Sequence, residues 1–403
     1  MRSQLSFIRR VVCSLYVLLL FGHSVSLAAD KYTVEGVVEG ADGKVQVKLI
    51  DGVKDYDDKT DRKGSFKLKR VLGGKYTLQV VQKDDVIHEQ SINVEGDIDN
   101  LEVKNIVSTV NNIDRLKDFE HNYIILVNGN LQTSNFDYED KKKIIINPYK
   151  NNINHEISKN PLVCLNHAFA ENGYCLKIEN NYKIKKVIVI YNFFTKDAEN
   201  KILNNKNKII IKENSEAHII EYTIIKSKFK FINNSYEDIT LEKNSKLKNL
   251  YLQDGKSDGF FHKFLKSKLF FNSDYSNLIF SSGLKFNKLD VECDMLEKNG
   301  KCNILSALYL NDKEHQEIKT RINHLSPNCK SYQRVKNVLT SESKGIFQGK
   351  IYVRDLAQKT DAYQLSKALL LNDNAEFNSK PELEIYADDV KCSHGSTSGS
   401  LDE

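Results

Sequence analysis

Two residues near the C-terminal end of the sequence have side chains that bind transition metals. Cys392 and His394 are separated by a single residue and lie in a run rich in Gly and Ser. Thiolate and imidazole are both ligands of iron and zinc. Residues i and i+2 of a β-strand face the same side, so both side chains could address one site. The spacing alone does not distinguish such a site from a buried cysteine beside a hydrogen-bonded histidine.

The residues before this pair predict the element that positions it. Apolar residues alternate with polar ones through Leu383–Tyr386, which is typical of a strand. Asp388 and Asp389 follow, and we interpret them as turn acids that hold backbone N–H groups. The Cys392/His394 pair is therefore expected directly after a strand and a turn.

A repeat extends upstream of the pair from about Leu162. Strand-like runs meet short turns in which an Asn precedes a small residue, at separations of 27 to 30 residues: Asn214, Asn244, Asn272, Asn299 and Asn328. A steady period below thirty without intervening helices is typical of stacked β-solenoid coils. Asn suits the corners because it tolerates the left-handed backbone conformation. The pattern predicts a parallel β-helix, with an antiparallel sandwich as the alternative.

The first hundred residues have a different organisation. Residues 1–29 carry Arg2, Arg9 and Arg10, then an apolar run, then small residues, which predicts a secretory signal peptide, with a retained anchor as the alternative. Residues 30–104 alternate apolar and polar positions and break at Gly or Asp, which predicts a small Ig/transthyretin-like β-sandwich. Its acidic run, Asp55 to Asp61, is expected to be a solvated loop rather than a calcium site.

Residue usage divides the chain. Residues 1–104 contain two Asn and residues 105–403 contain 38. We therefore expect two unrelated halves, with 105–160 as a connector and 161–403 as the β-helix core.

The net charge of +5 is spread over 59 basic and 54 acidic residues, which gives no basis for nucleic-acid binding. The scattered cysteines indicate reduced thiols, and neither a P-loop nor a catalytic triad signature is present.

The C-terminal eighty residues resemble the SufB/SufD family of iron–sulfur cluster assembly scaffolds, and SufD most closely. The resemblance rests on motifs from Arg321 to Gly399: Gly345-x-Phe347-x-Gly349, Gln358-Lys359-Thr360-Asp361, Leu369-Leu370-Leu371, Lys380-Pro381-x-Leu383-Glu384-Ile385 and Asp388-Asp389-Val390-Lys391-Cys392-x-His394-Gly395. A weaker likeness extends back to about Asn122. Residues 30–104 resemble carboxypeptidase-regulatory-like sandwiches, in particular the lumenal domain of ER membrane protein complex subunit 7.

The SufB/SufD resemblance implies a right-handed parallel β-helix that acts as a non-enzymatic scaffold. It implies that the chain pairs with a SufB-like paralogue and cooperates with a SufC-like ATPase, which is the component that binds and hydrolyses ATP. It also implies that clusters are transferred to apoprotein acceptors. His394 is expected to hold the nascent iron–sulfur cluster at the partner interface, and Cys392 is the second candidate ligand. Lys359, Thr360 and Asp361 are expected to serve the fold or the partner surface.

Three differences from the family pattern lead to further expectations. The sequence ends at Glu403, where the family continues into C-terminal helices that dock the ATPase, so SufC docking is expected to be impaired. The N-terminal helical region of the family, with its Trp-containing motif, has no counterpart. The SufD-like part implies cytosol or organelle stroma, whereas the signal peptide implies the secretory pathway.

A secretory or ER-membrane-associated binding protein that acts through the 30–104 sandwich is the alternative function. A polysaccharide-active β-helix enzyme is disfavoured because no groove of paired carboxylates is evident.

Overall fold

The computed structural model describes residues 30–39, 44–82, 85–104, 119–149, 158–225 and 229–400. The chain forms two compact units, Met1–Asp114 and Arg115–Glu403. The signal peptide predicted for residues 1–29 lies outside the described residues. Among the described residues, no helix is long and apolar enough to cross a membrane.

The first unit consists of short strands arranged in two sheets. The strands are β1 (Lys31–Glu39), β2 (Gln46–Ile50), β3 (Tyr56–Lys59), β4 (Ser65–Leu72), β5 (Gly74–Gln82), β6 (Asp85–Val94) and β7 (Ile98–Lys104). One sheet has the order β4-β1-β7 and the other β3-β2-β5-β6. Alternate residues of both sheets, among them Val34, Leu49, Leu68 and Leu78, are fully or almost fully buried in one core. This arrangement fits the small sandwich that the alternation predicts.

The acidic run of the first unit is not a free loop. Tyr56 is buried and begins strand β3, which pairs with β2 in antiparallel orientation. Asp58 Oδ2 accepts a hydrogen bond from Lys67 N at 2.8 Å, and Asp61 Oδ1 accepts one from Ser65 N at 2.9 Å. The expectation of a loop is therefore wrong for Tyr56–Lys59, which form a strand, whereas Asp55, Asp57 and Asp61 are exposed to solvent as expected.

The described residues of the second unit form mainly strands, in addition to one helix and a short 3-10 turn at Lys196–Ala198. The strands are β8 (Asn122–Val127), β9 (Asn130–Asn135), β10 (Ile144–Pro148), β11 (Tyr174–Ile178), β12 (Ile188–Phe194), β13 (Ile202–Ile211), β14 (Glu216–Ile225), β15 (Ile232–Leu241), β16 (Lys246–Gln253), β17 (Ser257–Leu269), β18 (Asp274–Ser282), β19 (Leu284–Met295), β20 (Lys301–Leu310), β21 (His315–His324), β22 (Lys330–Leu339), β23 (Lys344–Val353), β24 (Asp361–Leu370), β25 (Glu376–Ile385) and β26 (Lys391–Ser400). The helix is α1 (Pro161–Phe169).

From β11 onwards the strands alternate between two sheets. Odd-numbered strands β11 to β25 follow one another in a nine-stranded sheet that begins with β10, and even-numbered strands β12 to β26 lie in a ten-stranded sheet. Successive strands of each sheet are parallel, and each pair from β11–β12 to β25–β26 makes one coil, so the unit has eight coils. The predicted parallel β-helix is confirmed, and the antiparallel sandwich alternative is wrong for this part of the chain.

The corners of the coils follow the predicted asparagine column. Asn214, Asn244, Asn272, Asn299 and Asn328 all have positive φ, between 55° and 65°. Their side chains also connect neighbouring coils: Asn244 Nδ2 donates to Asn214 Oδ1 at 2.9 Å, and Asn272 Nδ2 donates to Asn244 Oδ1 at 2.9 Å. The asparagines therefore serve both the backbone conformation and the contact between coils.

The interior of the solenoid is apolar in its centre. Inward-facing side chains stack in columns from coil to coil, among them Ile209, Ile239, Leu265 and Val291, and each is at most 2% exposed. Full burial of an Ile or Leu side chain contributes about 1.5–3 kcal/mol. Because one coil covers the apolar face of the next, the coils form one continuous core.

Two features precede the first regular coil. Strand β8 pairs in parallel with β12, so residues Asn122–Val127 extend the ten-stranded sheet although they lie within the segment predicted as a connector. Helix α1 begins at Pro161, with Asn160 as its N-cap, and Asn166 Nδ2 donates to the backbone oxygens of Asn205 and Asn234. The proposed domain boundaries at residues 104 and 160 remain predictions.

The corner column gives a stability prediction. Replacement of Asn244 by Ala should lower the free energy of unfolding by about 1–2 kcal/mol, because alanine tolerates the left-handed conformation poorly. Asn244→Gly should destabilise less, since glycine adopts positive φ readily. Urea denaturation of both variants measures the difference, and equal stability of the two would contradict the backbone argument.

Candidate functional site

Cys392 and His394 lie on strand β26, whose pairing with β24 defines their orientation. Cys392 is aligned with Ala362 and His394 with Gln364. Ala362 and Gln364 are buried inward-facing residues of β24. The two candidate ligands therefore share the inward face of the ten-stranded sheet, on its last described strand, as the spacing of i and i+2 requires.

The environment of Cys392 is partly apolar. Its side chain is half-buried and packs against a small cluster that includes Ile351, Val353 and Ala387. This burial raises the pKa of the Cys392 thiol, and the nearby carboxylate of Asp361 raises it further. The thiol is thus mainly protonated at neutral pH. It can ligate iron only where the metal displaces its proton.

His394 is the more accessible of the two. The residue is exposed, and among the described residues no group forms a hydrogen bond with its ring. A column of inward-facing residues continues from His394 through Gln364 and Gln333 in β24 and β22. Both glutamines are 0% exposed, so His394 lies at the open end of a buried polar column.

Gln364 occupies space that a glycine leaves open. Its Nε2 donates to the backbone oxygen of Gly349 at 3.3 Å, across the interior of the solenoid. A Cβ atom on Gly349 would lie only 2.5–2.6 Å from the amide group of Gln364. Gly349 belongs to one of the motifs that carry the family resemblance. The structure shows a physical role for it, because an alanine at this position would displace Gln364, the residue aligned with His394.

Ser366 joins three strands next to the candidate ligands. Its Oγ lies 2.8 Å from Ser379 Oγ in β25 and donates to Ser396 Oγ in β26 at 2.9 Å. Gln364 and Ser366 were not predicted from the sequence. The available signal was the appearance of polar residues at alternate, inward-facing positions of an otherwise apolar strand.

The turn before β26 is held mainly by its backbone. Asp389 N donates to Gln358 Oε1 at 2.9 Å, and Lys359 N donates to Asp389 O at 2.5 Å. Asp388 and Asp389 are exposed, and within the described residues neither carboxylate accepts a hydrogen bond, so the expectation that they hold backbone N–H groups is wrong. Thr360 is 1% exposed and its Oγ1 donates to Ala357 O, a role within the fold.

The donors of this chain do not form a complete metal site. Within the described ranges, no group of three or more His, Cys, Asp or Glu residues is placed to hold a metal ion. Cys392 and His394 supply two donors of types that bind iron. Two donors alone do not complete the coordination of an iron ion.

A second polar region lies inside the early coils. Glu221, Glu237 and Lys263 are buried inward-facing residues, and Lys263 Nζ forms ion pairs with both carboxylates, at 3.0 Å to Glu237 Oε2. An adjacent cavity of about 30 Å³ is lined by Glu221, Lys263 and several other polar residues, and that volume accommodates one or two water molecules. Burial and the neighbouring Glu221 raise the pKa of Glu237 to about 7, while the two carboxylates raise the pKa of Lys263.

Other buried titratable groups lie deeper in the core. His324 is 0% exposed, and this burial lowers its pKa to about 3. Cys293, Cys302 and Cys329 are buried free thiols. Contact with Cys293 and burial raise the pKa of Cys302, and burial raises that of Cys329 to about 11. We interpret His324, Cys302 and Cys329 as neutral core residues.

Comparison with known proteins gives one family and several relatives. Residues 193–403, just over half of the chain, match the family model described as "SUF system FeS cluster assembly, SufBD core domain". The chain is 30% identical to Protein ABCI7, chloroplastic, of Arabidopsis thaliana over 214 residues, which are 52% of this chain and 45% of that protein. It is 28% identical to iron–sulfur cluster assembly protein SufD of Escherichia coli over 203 residues, 49% of this chain and 47% of that protein.

A third relative is the SufBD family protein slr0076 of Synechocystis, 27% identical over 201 residues, or 50% of this chain and 44% of that protein. The matched part of the chain thus spans about half the length of each of these relatives. The match begins at β12 and includes β26 with both candidate ligands.

The buried ion cluster predicts a pH dependence of stability. The pKa of Glu237 is higher in the folded chain than the ordinary value of 4.5, so its contribution is fully present below about pH 4.5 and is lost as the pH rises to about 7. The Glu237→Gln variant has no carboxyl group at this position and should not show this loss. As the pH rises from about 4.5 to about 7, its free energy of unfolding should therefore increase by about 1–3 kcal/mol relative to that of the parent chain. Chemical denaturation across the range measures it, with the surface variant Glu342→Gln as control. A constant difference between Glu237→Gln and parent would contradict the shifted pKa.

Proposed function

This chain belongs to the family of proteins with the SufBD core domain of the SUF system, and from this premise we propose that it is a non-enzymatic scaffold component of iron–sulfur cluster assembly. In this proposal the nascent cluster is cargo that the chain holds together with a SufB-like paralogue and releases to apoprotein acceptors. A SufC-like ATPase supplies the energy, because the sequence contains no P-loop.

The observation that carries the proposal is the position of the two donors. Cys392 and His394 share the inward face of β26, and His394 is exposed there. A SufB-like chain that contacts this face would bring its own ligands opposite His394 and complete a set that this chain supplies only in part.

The chemistry of the two donors differs in a way that suits transient binding. His394 is exposed and open to a metal ion, whereas the raised pKa of Cys392 makes its thiolate less available. His394 is therefore proposed as the primary cluster ligand of this chain, and Cys392 as the secondary ligand or as a packing residue. A partner surface over both would exclude water from a labile cluster.

The proposal predicts a selective loss on replacement of His394. His394→Ala should reduce the cluster content of a complex reconstituted with SufB- and SufC-like partners at least severalfold, while the complex still assembles. Visible absorption and iron and sulfide determination measure cluster content, and size-exclusion chromatography measures assembly. His218→Ala is the matched control, because His218 is an exposed histidine on the outward face of the same sheet.

Unchanged cluster content in His394→Ala would remove this residue from the site. Cys392→Ser tests the secondary ligand in the same assay. If a variant forms less complex, but the complex that does form contains the normal amount of cluster, the replaced residue has a role in pairing only.

A second candidate function rests on the independent core of the first unit. The sandwich of residues 30–104 buries its own set of apolar residues, and such modules bind partners without catalysis. In that case the chain is a secretory or ER-membrane-associated binding protein. Fractionation of cells that express the full chain discriminates the two: recovery from the lumenal or membrane fraction favours this function, and recovery with SufB- and SufC-like proteins favours the first.

A further inference from the structure

The outward face of the ten-stranded sheet differs from that of the nine-stranded sheet in its charges. On the nine-stranded sheet, several outward-facing basic residues form ion pairs, as Lys266 does with Glu292 at 2.6 Å and with Asp294 at 2.7 Å. Lys208, Lys319 and Arg321 of that sheet have no carboxylate within 4 Å among the described residues. On the outward face of the even-numbered strands β14 to β26, none of the basic residues has a described carboxylate within 4 Å. They are Lys246, Lys248, Lys301, Lys330, Arg334, Lys336, Lys367 and Lys391.

Few acids offset these charges on the same face. Glu216, Asp274 and Asp361 are the outward-facing acids on the described strands β14 to β26. The three acids lie in one row with Lys246, Lys301, Lys330 and Lys391, so the remaining basic residues, Lys248, Arg334, Lys336 and Lys367, are the ones without an acidic neighbour in their own row. Unpaired surface lysines at this density favour an acidic partner.

An apolar stripe crosses the basic face along the solenoid axis. In two adjacent rows, strands β14, β16, β18 and β20 place apolar residues in aligned positions: Ile220, Leu250, Leu278 and Leu305 in one row, and Tyr222, Leu252, Phe280 and Ala307 in the other. Leu278 is 44% exposed and Phe280 is 37% exposed. The stripe ends at strand β22, where both rows continue as Arg334 and Lys336.

The dimensions of the stripe suit an α-helix. Neighbouring strands are about 4.8 Å apart, so four strands span about 14 Å. An α-helix rises about 5.4 Å per turn, so three turns, or about ten residues, cover that length with one apolar side chain over each coil. An extended segment would place same-side residues about 6.6 Å apart and would lose alignment with the coils.

The charges at the ends and flank of the stripe define the helix further. Lys248 lies on the flank beside Leu250, and Arg334, Lys336 and Lys367 lie at one end. Acidic residues on one flank of the helix would pair with Lys248. The C-terminal end of the helix, which carries the negative pole of its dipole, would face the basic end cluster.

We propose that this apolar stripe, with Lys248 on its flank and the basic cluster of Arg334, Lys336 and Lys367 at one end, is a docking surface for an acidic amphipathic α-helix of a partner protein. The surface lies on the opposite side of the sheet from Cys392 and His394, so it is separate from the candidate cluster site and does not depend on it. Leu278 and Phe280 remain more than half covered by their neighbours. A shallow surface of this kind suits a helix better than a bilayer, which apolar residues enter by projecting beyond their surroundings.

Titration with a synthetic helix tests the proposal. The probe is a fluorescein-labelled 18-residue peptide, capped at both ends, with Leu at i, i+3, i+4 and i+7 spacing and Glu at the flanking positions. Fluorescence anisotropy with the full chain should show saturable binding that weakens with salt, and circular dichroism should show helix formation on binding. A peptide with Gln in place of every Glu should bind at least about tenfold more weakly.

Two variants locate the binding. Leu278→Thr/Phe280→Thr introduces β-branched residues, which suit a strand, and should weaken binding at least about tenfold. Arg334→Gln/Lys336→Gln should weaken binding and reduce its salt dependence. Ile346→Thr/Lys319→Gln, on the outward face of the nine-stranded sheet, is the matched control and should bind like the parent chain. Thermal melting verifies that all three are folded.

The opposite results would overturn the proposal. These are equal binding by parent and both stripe variants, or binding that is lost only in the nine-stranded-sheet control. Sedimentation with vesicles of phosphatidylcholine and phosphatidylserine at 7:3 gives the remaining arm. Vesicle binding that depends on Leu278 and Phe280, without peptide binding, would assign the surface to a membrane and reject the helical partner.

Discussion

The parallel stacking of successive coils is the constraint on which the second unit depends. Each strand from β12 to β24 pairs with a strand before it and a strand after it in its own sheet, and one shift in register would turn every inward side chain outward. Left-handed asparagine corners make the constant period possible, and the continuous apolar core makes it stable. The aligned columns of polar residues, of lysines and of candidate ligands all follow from that fixed register.

The same stacking explains how polar groups are tolerated inside the solenoid. Glu221, Glu237 and Lys263 occupy inward positions that the alternation reserves for apolar residues, and they are accommodated because each lies beside the others. Removal of one partner of a buried pair leaves an uncompensated charge, which is usually strongly destabilising. The cluster is therefore better understood as a mutually dependent set than as three separate stabilising contacts.

The sequence predicted the features that depend on local periodicity. The alternation identified the strands of both units, and the asparagine spacing identified one row of corners, because Asn at these positions adopts the left-handed conformation. Strand β8 was missed as part of the sheet because its partner β12 is more than sixty residues away. The common face of Cys392 and His394 followed from their spacing, whereas Gln364 and Gly349 could be related only when the register brought their strands together across the interior.

The asparagine column also varies along the axis. Side-chain hydrogen bonds link Asn181, Asn214, Asn244 and Asn272, but at the corner that precedes β24 the left-handed position belongs to Lys359, and Gln358 makes the side-chain contact to the next coil. The early coils are therefore clamped at their corners by a chain of amides, and the coil that carries His394 is attached by a longer, more flexible side chain. The coil of His394 is thus connected at its corner from a side chain to a backbone N–H group, whereas the early coils are connected amide to amide. Because the two kinds of contact involve different residues, a change at Gln358 leaves the amide chain of the early coils intact.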